Sequence, residues 1–179
     1  MWRKTKAGGE QRRELILRTL QEAGHPLTGA ELGQLTNVSR QVIVSDVNLL
    51  KAKDEPIIAT NQGYLYTQSA EKSTDAEKII VCKHDPEQTE EELHILVDHG
   101  VTVKDVRVEH PVYGDVRASI MVSNRQEVKA FIDQIKQSKA PYLLNLDESG
   151  IHLHTISAPR KDQLLEAENA LKKAGFLVE

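Results

Sequence analysis

Apolar side chains recur at helical spacing from residue 10 onward. Leu15, Ile16, Leu20 and Ala23 form a stripe that predicts a helix over 10–23, ended by Gly24 and Pro26. Thr28 with Glu31 three residues on is a capping box, and predicts a short helix through Leu32 and Leu35 to Asn37. Ser39 caps a third helix, Arg40 to about Lys51, with Val42, Val47, Leu49 and Leu50 as its apolar positions. Two β-prone stretches follow, 57–60 and 64–66, with Asn61-Gln62-Gly63 as the turn between them. Helix, helix, tight turn, helix and hairpin is the order of a winged helix-turn-helix. Residues 1–67 are read as that domain.

Residues 68–77 carry no large apolar side chain and read as a linker. Beyond them the period changes. A strand is expected over Lys78–His84, a helix over Thr89–His99 stopped by Gly100, and an alternating strand over Val101–Glu109. A turn at Pro111–Asp115 leads to a strand over 116–122. Ser123, with Gln126 at the capping-box position, starts a helix to about Gln137. The strand around His152, a helix over 161–173 stopped by Gly175, and a last strand at 176–178 complete the chain. The fold class is therefore α+β. Residues 78–179 form an α/β sandwich with a mainly antiparallel sheet and a ferredoxin-like βαββαβ core.

Composition adds two things. The chain is 39% hydrophobic and 28% charged, as in ordinary globular proteins, and no apolar run is long enough to span a membrane. The basic N-terminus has no apolar segment behind it and is not a signal peptide, and the single cysteine, Cys82, reads as a packed thiol. Both point to the cytoplasm. Charge is also divided. Residues 1–70 hold 9 Lys+Arg against 7 Asp+Glu, whereas 71–179 hold 14 against 20 and six of the seven histidines. Two modules with different partners fit that division.

The first module suits duplex DNA. A recognition helix offers its N-terminal side chains to base edges, where Arg pairs with guanine and Gln with adenine. Thr28, Ser39, Arg40, Gln41, Ser45 and Gly63 are the candidate contacts. A net charge of +2 is modest for one copy and argues for a homodimer.

The second module suits a metal ion. His152 and His154 alternate along one strand, so both imidazoles leave the same face. With His84 at the end of the first strand and Glu92 in the first helical turn, they make a three-nitrogen, one-oxygen set suited to Ni²⁺, Zn²⁺, Fe²⁺ or Mn²⁺. Glu92 has a second reading as the capping-box partner of Thr89, and Glu90 and Glu91 are equally available. His94 and His99 look exposed. His110, before Pro111, is held extended at a strand end.

The segments Lys83-His84, Glu91-Glu92-Leu93, Val97-Asp98-His99-Gly100, Glu109-His110-Pro111-Val112-Tyr113-Gly114 and Gly150-Ile151-His152-Leu153-His154-Thr155-Ile156, behind a winged helix, resemble the three-histidine-domain repressors. These are nicotinate-responsive regulators of NAD biosynthesis and niacin uptake. The resemblance covers nearly the whole chain. It implies one transition metal per chain on His84, Glu92, His152 and His154, a dimer on operator DNA, and nicotinic acid as co-repressor. His110, Tyr113 and Arg117 are the expected effector contacts. The chain departs from the family at Leu146-Asp147-Glu148-Ser149. The protein is not expected to be an enzyme. No phosphate-cradling glycine motif or paired nucleophile is present. A repressor answering to metal alone, and a metalloenzyme fused to a DNA-binding domain, are the other readings.

Overall fold

The computed structural model describes residues 6–67 and 74–179, in two compact units, Met1–Lys72 and Ser73–Glu179. Residues 68–73 of the expected linker lie outside the described residues.

In the first unit, helix α1 (Lys6–Ala23) buries Ile16 and Leu20 against α2 (Gly29–Thr36) and α3 (Arg40–Lys51). Thr28 caps α2 in the expected box, its hydroxyl accepting from Glu31 N. Strands β1 (Ile57–Thr60) and β2 (Gly63–Tyr66) pair antiparallel with Thr60 opposite Gly63. In α3 the buried set is Ile43, Val47 and Leu50; Leu49 is exposed, so the apolar stripe runs through Ile43 in its place. Leu35 is likewise exposed. Asp46 is buried and takes Arg12 Nε at 2.5 Å and Arg13 Nη1 at 3.3 Å, pinning α3 to α1. A buried carboxylate is tolerated here because both partners are charge-assisted donors.

In the second unit the order is β3 (Ala76–Lys83), α4 (Thr89–Asp98), β4 (Thr102–His110), β5 (Gly114–Val122), α5 (Arg125–Ser138), β6 (Ile151–Ala158) and α6 (Lys161–Ala174). Ala76 and Glu77, expected in the linker, open β3. The class and the element sequence are as expected. The strand order is β3-β6-β4-β5 with every neighbour antiparallel. That differs from a ferredoxin-like sheet, also antiparallel, in which the third strand and not the fourth lies between the first and second. Here β6 inserts between β3 and β4, which is what brings the histidine strand to the middle. The last expected strand is a single bridge, Leu177 to Cys82.

Helix α4 packs on β4, α5 on β5, and α6 on β6 and β3. Beneath them lies a core that includes Ile80, Cys82, Val103, Val106, Ile120 and Ile156. The cap of α5 is Asn124, whose side chain accepts from Glu127 N, while Glu127 takes Ser123 N and Oγ. The expected Ser123–Gln126 box is thus shifted by one residue, to Asn124 with Glu127 three residues on.

Candidate functional site

Three imidazoles converge on one carboxylate. His84 Nε2 lies 2.8 Å from Glu92 Oε2, His154 Nε2 lies 3.2 Å from the same oxygen, and His152 Nε2 is 3.1 Å from Oε1. All four side chains are buried, and His152 is 0% exposed. His152 stands edge-on to both His84 and His154, with ring centroids 4.7 and 4.9 Å apart.

Each element contributes for a local reason. Alternation along β6 sends His152 and His154 to the helix-covered face. Antiparallel pairing sets His152 opposite Cys82 and His154 opposite Ile80. On α4, Glu92 precedes Leu96 by four residues and Thr89 precedes Leu93 by four, so Glu92 shares the inward stripe while Glu91 faces out. The capping alternative for Glu92 is overturned. Thr89 is the first residue of α4, its hydroxyl donates to Pro86 O at 2.7 Å, and the Glu92 carboxylate is turned to the imidazoles. Gly150 sits at φ +70°, and a Cβ there would lie 2.6 Å from the His84 carbonyl oxygen. Only glycine lets these two backbone segments touch.

The far side of each ring defines its chemistry. His84 Nδ1 faces Asp85 O at 2.8 Å, His152 Nδ1 faces Gly150 O at 3.0 Å, and His154 Nδ1 faces Asp105 O at 2.7 Å. A carbonyl only accepts, so each Nδ1 faces it as a donor and each Nε2 is left to face Glu92. At this range each Nε2 needs either a proton or a shared cation between it and the carboxylate. Donor atoms about 2.0–2.2 Å from a shared ion are about 3.0–3.4 Å from one another. Two of the Nε2–Oε separations, 3.1 and 3.2 Å, fall at that spacing and the third, 2.8 Å, is shorter; three nitrogens and a carboxylate are a donor set that fits a transition metal.

Protons are the alternative to an ion here. Burial works against charging His84 and His154, but the hydrogen bonds and charge of Glu92 outweigh it and raise both pKa values. Burial likewise opposes ionising Glu92, yet His154 and the three imidazole contacts hold it well below the usual carboxylate range. Cys82 Sγ belongs to the same neighbourhood, grouped with Glu92 and His152. Burial first, then the Glu92 charge and hydrogen bond, push its thiol up, so it stays a thiol rather than a nucleophilic thiolate. The sequence reading left Cys82 out. The signal was its place two residues before His84.

Glu92 and His154 also wall a chamber of about 200 Å³, otherwise lined by Val106, Ala118, Ile120, Phe131, Tyr142 and Leu144 among others. None of His110, Tyr113 and Arg117 lines it. The turn gives those residues other engagements. His110 Nδ1 accepts from Val112 N and Tyr113 N, and its ring stacks on Tyr113, which is 79% exposed. Arg117 Nη2 lies 2.5 Å from Oδ2 of the buried Asp105. His99, expected to be exposed, is half-buried and bonds Ile95 O.

In the first unit Ser39 caps α3, accepting from Val42 N, and Arg40, Gln41 and Ser45 are exposed along it. Arg40 lies over Gly29, and a groove beside it is lined by Thr28, Thr60, Asn61 and Gly63. Gly63 contributes backbone only. It is packed on Leu27, where Leu27 and Tyr64 exchange backbone hydrogen bonds of 2.9 and 2.8 Å.

Comparison with known proteins matches a 3H domain over residues 77–179 and an HTH domain over 12–65. The chain is 52% identical over 179 residues to "Transcription repressor NadR" of Bacillus subtilis, covering 99% of both chains. It is 39% identical over 170 residues to "Probable transcription repressor NiaR" of Thermotoga maritima, covering 95% of both. The chain belongs to the 3H-domain transcription repressors. As a 3H-domain repressor it carries its histidines in one domain and a helix-turn-helix in the other. Among the described residues no helix is long and apolar enough to cross a membrane.

Proposed function

We propose that this 3H-domain repressor binds operator DNA as a homodimer and holds one transition metal ion per chain on His84, Glu92, His152 and His154. Nicotinic acid is its co-repressor, and its targets are genes of NAD biosynthesis and niacin uptake. The observation that carries the metal assignment is the convergence of three Nε2 atoms on Glu92, each ring fixed from behind by a carbonyl. Bound metal would neutralise the lone pairs and lock β3, α4 and β6 together. The DNA role is supported by the helix-turn-helix match and the repressor names of the relatives. Nicotinate as effector is supported by the resemblance of the His84, His110 and His152 segments to the nicotinate-responsive family.

The test is operator binding by the metal-loaded chain, with and without nicotinate. Co-repression requires that nicotinate tighten the DNA complex, and by linkage that DNA tighten nicotinate binding by the same factor. Tightening by metal alone would favour a metal-responsive repressor. Turnover of an added compound would favour the metalloenzyme.

Two expected outcomes concern the contacts. Arg40→Ala should weaken operator binding by about 1–3 kcal/mol if it reads a guanine, and wild-type affinity should fall steeply with salt. Fluorescence anisotropy at several salt concentrations measures both. Unchanged affinity in Arg40→Ala removes Arg40 from the interface. Gly150→Ala should lower metal affinity on the order of 10–100-fold, as for other supports behind metal ligands, because the new methyl pushes His84 off its position. Competition with a colorimetric chelator reads it.

A further inference from the structure

Strand β4 breaks its ladder beside the imidazole centre. Val103 pairs with Ile156 and Arg107 with Leu153, so four steps along β4 answer three along β6. An extra residue of this kind is a β-bulge, which bends the strand and re-aims the groups next to it. What it re-aims here is Asp105. The Asp105 carbonyl faces His154 and accepts from its Nδ1 at 2.7 Å. Thr155, next along β6, has no paired residue on β4. Its N–H, which an unbroken ladder would direct to a β4 carbonyl, donates to Asp105 Oδ1 at 3.0 Å. One residue thus uses its main chain on the ring and its side chain on the backbone.

The other two rings need no such device. His84 leans on the carbonyl of Asp85, its neighbour in the chain, and His152 on that of Gly150, two residues back. The carbonyl behind His154 comes from 49 residues away, so only tertiary contacts hold it. Those contacts meet at the Asp105 side chain, which is 0% exposed. A buried carboxylate persists when paired. Arg117 on β5 stands 2.5 Å from Oδ2, and Arg107 on β4 stands 3.5 Å from Oδ1 while donating to Thr155 Oγ1 at 2.6 Å. Resting on the metal assignment above, we propose that Asp105 is a positioning residue for the metal centre. Its carboxylate, bonded to Thr155 N, holds the bulge that aims its carbonyl at His154, and so fixes that ring as a ligand. The placed acceptor oxygen carries the role. Arg107 and Arg117 offset the buried charge. The rival account is an ion pair that only ties β4 to β5, and the two differ in which substitution harms the centre.

The experiment titrates Co²⁺ into the chelated full chain of each variant against a competing chelator. The visible d–d absorption of the ion reports its ligand geometry. Asp105→Asn keeps an oxygen at the Oδ1 position and drops the charge, so it should match wild type in affinity and spectrum. Asp105→Glu keeps the charge but sets the carboxylate one methylene farther out. It should lower affinity about 10–100-fold, as loss of a support behind a metal ligand does, and change the spectrum. Asp105→Ala, with neither oxygen nor charge, should follow the glutamate variant. The metal-free chain gives a second readout by imidazole NMR. His154 Nδ1–H should be hydrogen-bonded in wild type and Asp105→Asn, and released in the other two. An ion pair alone predicts the reverse order, with Asp105→Glu intact and Asp105→Asn impaired, and that result overturns the proposal. Equal loss in both, or in neither, overturns it as well. No Co²⁺ binding by wild type overturns the metal assignment instead, and the NMR order then decides whether Asp105 positions the ring.

Discussion

His152→Ala should yield a chain that purifies without stoichiometric metal and whose second unit melts well below that of wild type. Elemental analysis and a thermal scan followed by circular dichroism measure the two effects. The ring is wholly buried between Glu92 and the Gly150 carbonyl. Its loss leaves Glu92 short of a partner, and removing one member of a buried charged group costs about 3–5 kcal/mol. A pH series separates metal from protons. In the chelated protein, His84 and His154 have raised pKa values. Their stabilisation is full below the ordinary imidazole value of 6.5 and is lost as pH rises through the raised values. Glu92 is lowered from 4.5, so its contribution is present above 4.5 and lost as pH falls through the depressed value. The chelated protein is thus most stable between about pH 4.5 and 6.5. The metal-loaded protein behaves in the opposite way, because imidazoles ligate only when deprotonated. The difference in melting temperature between loaded and chelated protein should widen from pH 6 to 8. A difference that narrows would falsify the metal assignment.

Gly63→Ala should abolish operator binding and leave metal content unchanged. Gly63 has φ +133°, and an added Cβ would lie 2.4 Å from Leu27 O and 2.8 Å from Thr28 N. Both are backbone atoms and cannot move aside as a side-chain tip would. Backbone strain of this kind costs about 1–3 kcal/mol. The paired hydrogen bonds between Leu27 and Tyr64 that hold the hairpin to the α1–α2 loop are endangered too, at about 0.5–1.5 kcal/mol each. A unit of this size has a stability of roughly 0.05–0.15 kcal/mol per residue, so the sum removes much of it. Two-step unfolding by differential scanning calorimetry should show the first transition shifted down and the second unmoved. A variant with both transitions intact and normal DNA affinity would show that the hairpin tolerates the methyl.

Much of this was legible in the residues. Ile16 and Leu20 fall on the helical stripe that placed α1, and Thr28 with Glu31 marked α2 to the residue. The alternation at His152 and His154 put two imidazoles on one face, and both lie there. What failed is informative about range. Leu49 and Ile43 compete for one stripe, and only packing against α1 decides between them. Asn124 and Ser123 are adjacent cap formers, and one residue of helix phase separates them. Among Glu90, Glu91 and Glu92, the phase of Leu93 and Leu96 could have selected Glu92. The strand order could not be read, because nothing local in β6 says that it enters between β3 and β4. The chamber depends on five elements meeting, and periodicity along the chain carries no record of that.

The position of β6 also has a consequence in time. Glu92 and His154 are 62 residues apart in the chain, so an ion held between them acts as a staple across a long loop. A cross-link closing a loop of that size is worth about 4 kcal/mol of chain entropy. It can act only after the strand made last has threaded between two made earlier. A chain emerging from the ribosome holds β3, α4, β4 and β5 for some time with their central seam open. Under the proposed metal assignment, capture of the ion waits until β6 has been made, and fragments cut short before β6 should bind no ion at this centre.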